Sequence, residues 1–138
     1  MQATGRNGAR RLALQALYQS QLAGHDADDL LGQYRDNPDY ERCDQAYFDT
    51  LLDQTHRYRE QLDEDITAHG KIAPAHLDPV EHAALWIALA ELRFHDDVPA
   101  PVIINEAIEL AKLFGAEGGH KFVNGLLDKA ARTLRPAG

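Results

Sequence analysis

Asp78-Pro79-Val80-Glu81-His82-Ala83-Ala84-Leu85-Trp86-Ile87-Ala88-Leu89-Ala90 is the stretch that decides the fold. It opens as a helix start. Asp78 is a capping residue, Pro79 suits the first helical position, and Glu81 is spaced to reach back to the cap amide. From Ala83 the chain is apolar on every side, and the helix should run to about Phe94 or His95. A helix with no polar face must be wrapped by other elements, so this one is central and buried. Its wrapping is sought on either side. Downstream, Asp96 to Pro101 holds two prolines and reads as a loop. Val102 to Phe114 then repeats apolar residues at helical spacing, with Ile103, Ala107, Leu110, Ala111 and Phe114 inward and Gly115 past the end. Gly118-Gly119 makes a turn, and a last helix to Leu134 buries Val123, Leu126, Leu127, Ala130 and Leu134. Gly125 inside it costs ~1 kcal/mol relative to alanine and suggests a close helix–helix approach.

Upstream, Gly70 to Leu77, with Pro74, is a connector. Before it, Asp44 opens a long helix striped with Tyr47, Phe48, Leu51, Leu52, Thr55, Tyr58, Leu62 and Ile66. Asp63, Glu64 and Asp65 near its end oppose the helix dipole, so a bend is expected there. Asn37-Pro38 sits in a loop from Arg35 to Arg42. Asp26 caps a short helix presenting Ala27, Leu30, Leu31 and Tyr34. The first helix runs from about Asn7 to Ala23, with Ala9, Leu12, Ala13, Ala16, Leu17 and Ser20 on one face and Gly24 as its stop. No segment alternates like a strand. The expectation is an all-α fold, a compact bundle of about six to seven helices. It forms one domain over 1–138, with an N-terminal lobe of about 1–70 and a C-terminal lobe of about 71–138.

The chain has 138 residues and a formal net charge of -8. The charge is uneven. Residues 1–24 hold Arg6, Arg10 and Arg11 and no acid, whereas residues 25–69 hold 13 acids against 4 bases. An acidic body repels nucleic acid, so any nucleic-acid site must be a local basic patch, and the N-terminus is the place for one. One cysteine, Cys43, excludes an intramolecular disulfide. No apolar run is long enough for a bilayer, and no signal peptide is legible, so a cytoplasmic protein without a membrane role is expected. Cofactor and enzyme signatures are equally scarce. No phosphate loop, cysteine pair or His-Glu-x-x-His pattern occurs. His25 with Asp26, Asp28 and Asp29 matches no calcium loop and reads as solvated. His76 and His82 read as structural or solvent-facing. Glu106 and Glu109 share a helix face, with Lys112 placed to pair. An enzyme using Glu106, Glu109 and His120 finds no support in the spacing. No catalytic residue, cofactor or metal ligand is assigned.

Two blocks stand out. One is Arg10-Arg11-Leu12-Ala13-Leu14-Gln15-Ala16-Leu17-Tyr18. The other is Asp97-Val98-Pro99, Ile104 to Lys112, Phe114-Gly115-Ala116-Glu117 and His120 to Ala130. With Val80-Glu81, Ile87-Ala88-Leu89 and Glu91-Leu92 between them, they resemble the NusB family of bacterial transcription antitermination factors over nearly the whole chain. The resemblance implies two small helical subdomains and no catalysis. It implies binding of boxA-type RNA in ribosomal RNA leaders together with NusE, a small-subunit ribosomal protein. It further implies a complex with NusA, NusG and RNA polymerase that suppresses premature termination.

The residues that would carry this function are Arg6, Arg10, Arg11, Gln15 and Tyr18 on the first helix, and His120, Lys121 and Phe122 at the start of the last. Arginine's planar fork suits phosphate, and a tyrosine ring can stack a splayed base. A helix N-terminus offers amides to anions, and Lys121 adds charge. By periodicity alone Phe122 is a core position. Its RNA role comes from the resemblance, as does a NusE-contacting role for Glu81. The chain departs from the family pattern at Asn7 and Gly8, where more basic residues are common. It departs again at Gly118-Gly119, and at Ala90 and Ala100 in place of tyrosines. The alternative reading is an interaction module that binds NusE with little RNA contact of its own. A homodimer covering the arginine surface is compatible with the sequence.

Overall fold

Helix α6, Pro79–Phe94, carries the apolar run, and every residue from Ala83 to Ala90 is at most 2% exposed. The computed structural model describes residues 5–23 and 27–136, the side chains of residues 27 and 28 excepted. Among these residues there are eight α-helices, a short 3₁₀ turn at Pro74–His76 and no strand. The expected stop at Gly24, the cap at Asp26 and the centre of the His25–Asp26 cluster lie outside the described residues.

The chain divides into two units, Met1–Arg57 and Tyr58–Gly138. The first contains α1 (Gly5–Ala23), α2 (Ala27–Arg35), α3 (Pro38–Arg42) and α4 (Gln45–Arg57). Helix α1 packs on α4, and all six residues expected on its inner face are buried. Phe48 of α4 is enclosed, with the Tyr40 ring edge-on at 5.6 Å and the Tyr34 ring at 6.1 Å. The expected loop from Arg35 to Arg42 contains α3. Asn37 accepts the Asp39 amide at 2.8 Å and Pro38 takes the first turn, so Asn-Pro here starts a helix.

The second unit contains α5 (Arg59–Gly70), α6, α7 (Ala100–Phe114) and α8 (Gly119–Leu134), and α6 touches the other three. The long helix expected from Asp44 is broken at Tyr58, not at Asp63–Asp65, and this break is also where the units divide, earlier than residue 70. Broken there, the chain places Glu60 in the first turn of a new helix, where its dipole favours an acid, and moves Asp63 and Glu64 away from a C-terminal end. The break and α3 together account for more helices than the sequence suggested. The Tyr58 ring rests against Phe94 at 4.6 Å. Phe114, expected inward, ends α7 and is 40% exposed. Gly125 faces open space, so it marks no close approach.

Polar groups fix α6 among its neighbours. Asp63 Oδ1 accepts from His82 Nε2 at 2.7 Å and from Trp86 Nε1 at 2.8 Å, which gives His82 a structural role. Arg93 grips the buried Asp65 with two hydrogen bonds of 2.6 and 2.7 Å. The hydrogen bond to Asp65 raises the Arg93 pKa further. At the end of α6, Arg135 donates to the carbonyls of Glu91, Leu92, His95 and Val98. These include carbonyls that a helix terminus leaves without an intrahelical partner. A cation there also complements the dipole.

Removing that cap with Arg135→Ala should cost about 2–3 kcal/mol, because hydrogen bonds to charged groups are worth ~1.5–3 kcal/mol each and water replaces part of them. Thermal unfolding should shift down by roughly 5–10 °C. A shift under about 1 °C would show that the cap adds nothing.

Candidate nucleic-acid interface

The N-terminus of α1 is built against the helix dipole. It has no acid in its first turn, yet Arg6, Arg10 and Arg11 occupy its first two turns. Helix stability alone favours acids at this end and disfavours cations. Backbone amides and guanidinium groups therefore collect at one terminus, an arrangement suited to an anion.

The arginines divide between two stripes. Arg11, Gln15 and Tyr18 follow i, i+4, i+7 spacing and share one face. Arg11 and Gln15 are half-buried, and Tyr18 is 39% exposed. Arg6 and Arg10 belong to the other stripe, which continues through Ala13 to Leu17 at spacings of four, three and four. That stripe faces the core. Arg10 is only 3% exposed, whereas Arg6, one turn nearer the end, is exposed.

What receives these two arginines is Tyr47 in the first turn of α4. The Arg6 guanidinium carbon lies 4.5 Å from the centre of its ring and that of Arg10 lies 5.6 Å away. Arg10 also donates to Asn7 Oδ1 at 3.3 Å. The two helix starts are tied together at the backbone. Asp44 caps α4 by accepting the Tyr47 amide at 3.1 Å, and its own amide donates to Gly5 O at 2.9 Å. Sequence reasoning placed Tyr47 in the core stripe of α4 and gave it no part in the site. The available signal was the register of Arg6 and Arg10 with Leu17.

In the second unit, Gly118 caps α8 at φ +84°, a conformation that glycine adopts without strain. No side chain caps this helix, and its first turn contains no acid. Lys121 is exposed, and His120 and Phe122 are half-buried. The Phe122 ring leans on the end of α5, its tip 3.2 Å from where a Cβ on Gly70 would stand. The geometry therefore keeps the core-like aspect that periodicity gave this residue.

Glu81 does not form the expected capping box, since Asp78 makes no side-chain cap hydrogen bond. Its carboxyl instead lies against Gly119, filling the place of the missing Cβ. Burial, then the negative charge of Asp78, raise the Glu81 pKa above the usual glutamate range. Elsewhere the chemistry is quiet. Burial pushes the Cys43 thiol up, and Sγ donates to Tyr40 O, which is the opposite of an activated nucleophile. Glu109 pairs loosely with Lys112 at 3.9 Å on an exposed face. Among the described residues no group of three or more His, Cys, Asp or Glu could hold a metal ion, and no helix is long and apolar enough to cross a membrane.

The model of the NusB family matches residues 7–132. The transcription antitermination protein NusB of Shewanella pealeana is 50% identical over 129 residues, which cover 94% of this chain and 96% of that one. A solved structure of T. maritima NusB superposes with a TM-score of 0.80 at 30% identity, covering 92% of this chain and 90% of the other. A crystal structure of antitermination factors NusB and NusE in complex with dsRNA matches with a TM-score of 0.77 at 28% identity, covering 93% of this chain and 96% of the matched one.

The Glu81 geometry gives a direct expectation. A carboxyl whose pKa is raised on folding adds stability below its unfolded pKa and loses it as pH rises through the folded value. The wild-type Glu81 carboxyl, followed by NMR, should titrate above an ordinary glutamate. In Gly119→Ala the new methyl group displaces it, and its midpoint should fall back with little loss of stability. An unchanged midpoint would contradict the seating of Glu81 on Gly119.

Proposed function

The chain belongs to the NusB family, and on that premise we propose that it is an RNA-binding transcription antitermination factor. It binds boxA-type leader RNA together with NusE and helps RNA polymerase, with NusA and NusG, to pass premature termination signals. It works in the cytoplasm and is not an enzyme.

The observation that carries this reading is the basic, acid-free start of α1, where cations sit at the unfavourable end of a helix on a chain of net charge -8. We assign direct phosphate contact to Arg6 and Arg11 and base or sugar contact to Gln15 and Tyr18. Arg10, being enclosed, supports Arg6. On α8, Lys121 and the open first turn supply a second anion-binding segment, flanked by His120 and Phe122. Glu81, at the start of α6, is assigned to the contact with NusE.

One specific observation favours the alternative. Burial of Arg10 leaves fewer cations exposed on α1 than the sequence offers, as fits an interaction module that recruits NusE with little RNA contact of its own.

Titration of the chain with a boxA-type RNA, with and without NusE, separates the two readings. About three phosphate contacts give a log–log salt slope near -2 for a single strand. Arg6→Glu and Arg11→Glu should each weaken RNA binding by about tenfold or more and flatten that slope, while NusE binding persists. A slope near zero, or full affinity in both variants, would overturn the RNA-binding reading in favour of the interaction module.

A further inference from the structure

We infer that Tyr47 is a positioning residue for RNA binding, its ring face being the platform that sets Arg6 in place through contacts with Arg6 and Arg10. This role rests on the proposed RNA-binding function and belongs to a residue of α4 to which that function assigns nothing.

Tyr47 is 6% exposed, so its ring cannot itself stack a base. Yet both guanidinium carbons lie within the ~6 Å over which a cation is held by an aromatic face. Two cations on neighbouring turns of one helix repel each other, and the dipole at that end repels both. The negative face of a ring offsets part of that repulsion. Arg6 is exposed at the rim of this contact, whereas Arg10 is enclosed by it. Because Asp44 joins the α4 cap to Gly5 O, the ring and the backbone that carries Arg6 keep one fixed relation. Fixing a long side chain before the ligand arrives lowers the ordering cost of binding.

Substitutions at Tyr47 separate the ring face from mere bulk. Tyr47→Leu keeps an apolar side chain but removes the face. Pentafluorophenylalanine in place of Tyr47 keeps the ring shape and reverses the sign of its face. Both should weaken boxA-type RNA binding about fivefold to tenfold and make the salt slope shallower by about 0.7, one phosphate contact. Tyr47→Phe, which keeps the face, should restore affinity to within about twofold of wild type. By NMR, the side-chain protons of Arg6 and Arg10 should show ring-current shifts in wild type and Tyr47→Phe and lose them in Tyr47→Leu. Should Tyr47→Leu fail to fold, the fluorinated ring alone decides. Wild-type affinity and slope with the fluorinated ring would overturn the inference, as would a Tyr47→Phe variant as weak as Tyr47→Leu. A wild-type chain that keeps the ring-current shifts but binds no RNA would instead overturn the functional reading, leaving the platform a purely structural contact.

Discussion

A guanidinium leaves water only where something replaces its solvation, and helix α1 turns two toward its core-facing side, one enclosed and one at the rim. The ring of Tyr47 receives both. At this contact the basic end of α1 meets the start of α4, with Arg10 enclosed and Arg6 facing solvent. Asp44 extends the constraint into the backbone by capping α4 and bonding Gly5 at once. The exposed stripe of Arg11, Gln15 and Tyr18 then follows from helical geometry.

The second unit answers a different demand. An all-apolar helix must be surrounded, and α5, α7 and α8 surround α6. Polar contacts are moved to its ends. Glu81 leans on Gly119 at one end and Arg135 gathers four carbonyls at the other. Glu81 and the first turn of α8 are consequently in contact, so a partner that engages Glu81 acts next to His120 and Lys121.

The buried face of α6 was legible because an unbroken apolar run has one physical solution. The inner faces of α1, α4 and α8 were legible because 3.6-residue periodicity marks them. The break at Tyr58 was not, since Leu62 and Ile66 keep the stripe going across it and only the packing of Tyr58 on Phe94 reveals the interruption. Arg135 was invisible for a related reason: its acceptors lie some forty residues upstream, and no local pattern links them. At the candidate site, charge pointed to the start of α1. Charge alone did not separate Arg10 from Arg11, because adjacent residues on a helix point about 100° apart and one faces the core. Tyr47 was hidden in its own periodicity, where a ring that binds cations looks like any other core aromatic.

The most direct test of the proposed RNA contacts is amide chemical-shift mapping of the isotope-labelled chain as boxA-type RNA is added at low salt. Perturbations should concentrate on residues 6–18 of α1 and 119–122 at the start of α8, and fade as salt is raised. Perturbations confined to the acidic α2 and α3, or shifts indifferent to salt, would contradict them.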